Sequence, residues 1–548
     1  MRSKLGWAVA ALWVVPLWVT PFPPMVDYPQ QLALAAILRW YGDPVRRFRE
    51  TYELALWAPH GLFKLLVAGL GWVLPINVAG RLVVSVCLVA VGAAALALCR
   101  RAGRPAGYAL LALALTYNYA FYWGFVDNLL AYPLALGGVA LADALFDRPF
   151  TVRSWLALAG VGVLFYTVHL QFLLLFAGAV GWLALCRLPG WRRLALWLSP
   201  LVPGVAAGLG AMAYGVLRSP AGVITAYELR MRQGPPVRLP LVAKLRFVPD
   251  LLFGPTADHS AGVALALLGL VAVAAAVFRE RAAAEPERRD LLFRTRFATL
   301  AGWIGFLYLV LPEFRGGYLI AQRVAPFAAM VAVTALPAVR PDRRRLVTWL
   351  AAALVVFQLG QTLTAFLRFR TESAGLADLL ELTEPGQSLA GLIFERGSAS
   401  WPSMPVYLHF PAYYQVFKGG RILFSFAELF QTSARFRPGR SWDDLLMEWN
   451  EWSPQLFDYD RHAGRFRYFL VRGDRNEVLD AFGGDPARRG LRGWQAGDWW
   501  LFEKVAPSAP LDKPAHLWHN GRLLLGRPSR DALAGQPARP SPASEASE

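Results

Sequence analysis

Two acids stand out in this chain because apolar runs flank them. Asp27 lies among prolines in PFPPMVDYPQQLALAAILRWYGDP (21–44), and Asp127 lies in YWGFVDNLLAYP. A carboxylate at such a position can take a proton from a hydroxyl as a general base. It can also do something plainer. Asp27-x-x-Gln30 has capping-box spacing, and a helix cap is worth about 1 kcal/mol. Taken alone, the spacing favours the cap, and the two roles are compatible. Two acids on successive loops of one face can also converge, sharing a metal or dividing acid and base roles. Around them are polar residues that apolar surroundings make conspicuous. His60 and Lys64 lie in HGLFKLLVAGLGWVLP, His169 in VLFYTVHLQFLLLF, and Arg323 in GGYLIAQRVAPF, with Arg315 and Glu313 just before it. A charge inside a membrane helix costs about 2.5–3.5 kcal/mol on insertion scales, so it seeks a partner. Arg315 can pair with Glu313, and Arg323 can snorkel to the interface. The alternative is a cationic clamp on a phosphate, which the guanidinium fork suits. The histidines read first as polar residues at a wet interface and second as ligands.

The elements that must hold these residues are membrane helices. The 548 residues are 56% hydrophobic and only 17% charged, against about 25% in soluble chains. Windows of about 17–25 residues place spans near 6–22, 79–99, 107–123, 129–146, 155–169, 171–186, 194–217, 259–278, 297–313, 321–339 and 346–366. The first of these reads as an uncleaved helix, because no small-x-small cleavage site follows it. In the loop at 24–78, Leu34, Ile37, Leu38 and Tyr41 share one helical face, and the run is too short to cross a bilayer. It reads as a helix lying on the membrane surface with Asp27 at its start. Residues 60–75 either span or form a second surface helix. The surface choice puts the basic loops Arg100–Arg104, Arg148–Arg153, Arg187–Arg193, Arg279–Arg296 and Arg340–Arg345 inside, as the positive-inside rule prefers. The Asp27 loop and the C-terminus then share the outer face. Segment 218–258 is the exception, being both outer and basic.

Residues 1–366 carry 34 Lys+Arg against 16 Asp+Glu, whereas the rest of the chain carries 22 of each. The basic excess therefore fits topology and anionic lipid, and no basic-aromatic motif of a nucleic-acid reader accompanies it. Cys87, Cys99 and Cys186 all lie in apolar segments and read as small buried hydrophobes. Tyr117, Tyr119, Tyr122 and Trp123 suggest an interfacial belt. Gly204 and Gly208 have helix-packing spacing, and Asp458-Tyr459-Asp460 reads as surface charge. From 367 the pattern changes. GQSLAGLIFERG, RFRYFLVRG and DWWLFEKV read as strands and RNEVLDAF as a helix, giving a small α/β domain over 367–505. The Pro/Ala/Ser-rich tail at 506–548 reads as disordered.

An acid in the first outer loop, just after the first span, resembles the polytopic GT-C glycosyltransferases. Their protein O-mannosyltransferase and lipid A aminoarabinose transferase branch supplies the nearest pattern. Here the motif is MVDYPQQ, followed by VLPINVAGRLVVSVCLVAVGAAALALCRRAG with Arg81 in the matching place. The likeness covers about the first 150 residues. That branch often pairs two acids in the first loop, whereas here Asp27 is followed by Tyr28. The resemblance implies an all-α polytopic membrane domain (1–366) with a C-terminal α/β domain outside, in a bacterial inner membrane. It implies transfer of a sugar from a polyprenyl-phosphate donor to a glycan, lipid or protein acceptor, with inversion. Asp27 would be the base, and Asp127, His60, Lys64, His169, Arg315 and Arg323 would bind substrate. A divalent metal is the one cofactor the family pattern leaves open. Two rivals are a transporter or lipid flippase, and a membrane-anchored envelope assembly protein. The transporter reading wants acids deep in spans, which are scarce here; Asp143 lies toward a cytoplasmic end.

Overall fold

The computed structural model describes residues 2–218, 238–280, 288–312, 319–429 and 432–505, with two short segments at 517–519 and 522–524. Arg315, Glu313 and most of the expected disordered tail lie outside these residues. The principal helices are α1 (Arg2–Val19), α2 (Tyr28–Arg39), α3 (Leu62–Leu70), α4 (Ile76–Arg101), α5 (Val126–Phe146) and α6 (Val152–Val168). They continue with α7 (Leu170–Leu185), α8 (Val202–Arg218), α9 (Ser260–Val277), α10 (Arg288–Val310), α11 (Ile320–Ala332) and α12 (Arg344–Glu372). Among the described residues five segments are long and apolar enough to cross a membrane: α4, α5, Trp191–Tyr214, α9 and α12. Shorter apolar helices accompany them, among them α6 and α7. The chain is thus a mostly helical integral membrane protein. The expected span at 107–123 is not a single helix. It breaks into Ala109–Ala114 and Tyr119–Tyr122, because the Asn118 side chain accepts from the Phe121 amide and starts a new turn. The expected aromatic belt there is also corrected. Tyr117, Tyr119 and Tyr122 are buried, and Tyr117 donates to the Trp13 carbonyl at 2.7 Å. The glycine spacing at 204 does pack helices: a Cβ on Gly204 would lie 2.5 Å from the Gly162 carbonyl oxygen, so α8 meets α6 backbone to backbone.

At one end of the bundle the Asp143 carboxylate is fully buried and held by three arginines. Arg187 and Arg296 reach Oδ1 at 2.8 and 2.7 Å, and Arg101 reaches Oδ2 at 2.7 Å. This ties the ends of α4, α5 and α7 to α10. Asp127 sits in the first turn of the same α5, about 24 Å away at 1.5 Å per residue.

The expected surface helix of the first loop is covered on two sides by protein. In α2 every residue from Tyr28 to Ile37 is buried. One side of α2 packs on the bundle through Tyr28, Leu32 and Val83, and Gly80 is small enough to admit the Tyr28 ring. The other side, Leu34, Ala36 and Ile37, packs under Ala427 and Ala434. The segment at 60–75 is a short helix, α3, whose nine residues rise about 14 Å, too little to cross a bilayer. Leu65, Leu66, Trp72 and Val73 are exposed on and just after it.

The C-terminal region is a mixed sheet with helices, built from β2 (Ser388–Ile393), β3 (Arg421–Ile422), β5 (Tyr468–Arg472), β6 (Leu491–Ala496) and β7 (Trp499–Lys504), ordered β3-β2-β5-β7-β6. The strands β2 and β5 are parallel, with Gly391 opposite Leu470. The β5–β7–β6 meander is antiparallel. All three expected strands and the expected helix, Arg475–Ala481 with its Asp474/Glu477 capping box, are present. In the first loop, β1 (Tyr52–Leu54) pairs antiparallel with β4 (Ala434–Phe436), so loop and C-terminal region share one face.

Candidate active site

Asp27 occupies the N-cap position of α2, yet its side chain caps nothing, and its own backbone is helical (φ −85°, ψ −10°). The capping-box expectation therefore fails. A cap needs an extended N-cap residue to swing its oxygen over the first turn. Gln30, the other half of the box, points elsewhere. Its Nε2 donates to the Phe424 carbonyl at 2.9 Å, and its Oε1 accepts from the Phe426 amide at 3.1 Å. Relieved of capping, the Asp27 carboxylate lies with Oδ1 3.2 Å from Nδ1 of His409, which comes from the C-terminal region. The backbone of Asp27 is fixed from the other side: its amide donates to the Trp123 carbonyl at 2.9 Å, beside Val26 to Tyr122 at 2.9 Å. Gly124 makes this approach possible. It has φ +73°, and a Cβ there would lie 2.6 Å from the Tyr28 amide nitrogen and 2.8 Å from that of Asp27.

Three residues after Gly124 comes the second acid. Lys64, only 2% exposed, donates to Asp127 Oδ2 at 2.9 Å and also to the His60 carbonyl. His60 has a left-handed backbone (φ 63°), which turns its carbonyl toward Lys64 at the entry to α3. Its Nδ1 is 4.0 Å from Asp127 Oδ2, and its ring meets that of His169 edge-on at 4.8 Å. Arg323 Nη1 lies 3.3 Å from His169 Nε2, and the guanidinium stacks 3.8 Å over the Phe125 ring. Burial, then the Lys64 and Arg323 charges, push the His60 imidazole down to about 3, so it is neutral at ordinary pH.

Five of the residues expected to bind substrate (Asp127, His60, Lys64, His169 and Arg323) thus form one cluster, fed by α3, α5, the α6–α7 turn and α11. Asp27 stands beside it, its amide bonded to the Trp123 carbonyl. The strip Trp123–Asp127 joins the two. Arg315 is outside the described residues. Among the described residues no group of three or more His, Cys, Asp or Glu could hold a metal ion, and Asp127 already has Lys64 as its cation. His409 is the partner that reading the sequence missed. It sits in an aromatic stretch, YLHFPAYY, 382 residues after Asp27, and nothing local marks it.

No protein-family model matches the chain, and no curated protein matches it in sequence. Among solved structures, the fold is similar to ArnT from Cupriavidus metallidurans bound to undecaprenyl phosphate. The TM-score is 0.57 at 15% identity, over 92% of this chain and 98% of that one. ArnT in the apo state matches with a TM-score of 0.55 at 14% identity and the same coverage. At such identity the likeness is one of fold, the GT-C fold.

Proposed function

From the GT-C fold, we propose that this chain is a membrane glycosyltransferase that moves a sugar from a polyprenyl-phosphate donor to a hydroxyl acceptor on the extracytoplasmic face, with inversion. The observation that carries this reading is Asp27: a carboxylate with no capping role, its backbone bonded to Trp123 of the strip that leads to Asp127 in the buried cluster. The solved structure of similar fold that holds undecaprenyl phosphate supports the donor class. The membrane is a bacterial inner membrane in this reading, and the face shared by the first loop and the C-terminal region looks outward.

The chemistry follows from the residues. The acceptor O–H gives its proton to Asp27 as its oxygen bonds to the anomeric carbon. The bond from that carbon to the phosphate oxygen breaks, and polyprenyl phosphate leaves with the electron pair. The sugar passes through an oxocarbenium-like state. Charge builds on the departing phosphate, where the Lys64 ammonium and the Arg323 fork stabilise it. Neutral His60, with the His169 ring edge-on against it, adds polarity to the cluster without adding charge.

Asp27→Asn decides between base and scaffold. Because Asp27 caps nothing, the variant should melt within about 0.5 kcal/mol of the parent. Sugar transfer should fall by about 10²–10⁴-fold, since an amide takes no proton near neutral pH. Both are measured on the same detergent-purified sample. Transfer at the parental rate would remove the strongest ground for the reading.

A further inference from the structure

We infer that His409 is the positioning residue for Asp27, so that the C-terminal region completes a catalytic base carried by the membrane domain. The inference rests on Asp27 being that base. The backbone of Asp27 is pinned by the Trp123 carbonyl, but that leaves the carboxylate to turn about χ1 and χ2, and the second of these is a soft torsion. His409 Nδ1, 3.2 Å from Oδ1, is the partner that limits it. With the proton on Nδ1, one carboxylate oxygen is engaged and the other is left to receive the acceptor proton.

His409 is itself held. It is 6% exposed, and its ring lies 5.6 Å from Phe424 and 5.4 Å from Phe426, the second edge-on. Those two residues are the ones Gln30 grips with both ends of its amide. Gln30 is one helical turn beyond Asp27 on α2. The base and its partner are therefore indexed twice, by the Asp27–His409 contact and by the Gln30 clamp beside it. A residue that only filled space between two phenylalanines would be apolar. Among the described residues neither ring nitrogen of His409 makes an aligned hydrogen bond within the protein. Catalytic pairs show such looseness before substrate closes on them.

The test uses the full chain in nanodiscs, with undecaprenyl phosphate carrying glucose, mannose or arabinose as donor, water or an added simple alcohol as the hydroxyl acceptor, and release of undecaprenyl phosphate as readout. His409→Phe keeps the packing and removes the donor, so kcat should fall about 10²-fold with KM for the donor within about twofold. His409→Asn keeps an N–H near the Nδ1 position and should recover most of the lost rate. A Phe variant with parental kcat, or one that changes KM alone, overturns the inference. If the parent releases nothing from any donor, the glycosyltransferase reading falls instead. ¹⁵N-histidine NMR then decides the contact, with the His409 signal identified by its loss in the Asn variant. An Nδ1-protonated ring whose signal shifts in Asp27→Asn supports the pairing. A ring indifferent to that substitution overturns it, and does so even if His409→Phe fails to fold.

Discussion

At the residue scale, the cluster around Asp127 is the product of a physical necessity. Charges in an apolar chain must find partners, so Lys64, Asp127 and Arg323 were conspicuous before any geometry was known. Which partner each finds was not legible, since 63 residues separate Lys64 from Asp127 and 154 separate His169 from Arg323. His409 was not legible at all, because a lone histidine among aromatics carries no period or spacing. The buried Lys64–Asp127 pair has a testable cost. Lys64→Met strands a buried carboxylate and should destabilise the protein by about 3–5 kcal/mol. The double variant Lys64→Met/Asp127→Leu should regain most of that melting temperature, yet still bind undecaprenyl phosphate poorly. A double variant that binds as the parent does would take Lys64 out of the phosphate site. Arg323→Lys keeps the charge but loses the planar stack on Phe125 and the fork. It should weaken undecaprenyl phosphate binding about tenfold, or about 1.4 kcal/mol, and unchanged affinity in a titration would make Arg323 an anchor only.

At the element scale, apolar windows located most long helices but misjudged what covers α2. A periodic stripe reports one buried face. The stripe at Leu34 and Ile37 is the face buried by residues some 400 positions away, whereas the other face packs on the bundle through Tyr28, Leu32, Ala33 and Ala35, whose small alanines carry little pattern. The break at 115–118 was hidden for a related reason: apolarity fixes the thickness crossed, whereas the Asn118 cap fixes where a helix restarts. The contact between the first loop and the turn before α5 depends on Gly124. Gly124→Ala puts a methyl 2.6 Å from the Tyr28 nitrogen at a backbone angle alanine avoids. It should cost about 1–3 kcal/mol and lower activity by displacing Asp27. Measured melting and transfer that both match the parent would mean the loop tolerates the shift.

At the scale of the whole molecule, the membrane bundle and the C-terminal region are one structure, joined by the β1–β4 pairing, the Gln30 clamp and the packing over α2. Glu428 lies close to this junction, buried, with Ser441 Oγ donating to it at 2.7 Å. Burial, ahead of every other influence, raises its carboxyl from 4.5 to about 8. The folded state therefore holds a proton that the unfolded chain has lost, and stability falls as pH rises from 4.5 to about 8. One such group gives a slope of at most about 1.4 kcal/mol per pH unit. Glu428→Gln should flatten it, as read by hydrogen exchange of the region at 421–442 across that range, and an equal slope in the variant would assign it to other groups. The two-sided burial of α2 also has a consequence for how the protein is made. Its second cover, around 424–436, is synthesised roughly 400 residues later, which at about 5–20 residues per second leaves Leu34, Ala36 and Ile37 uncovered for roughly 20–80 s. A ribosome-bound chain of this length would present a sticky helix beside an unfinished bundle, so its maturation calls for a holding factor or lipid headgroups to shield that face until the last quarter of the chain has been made.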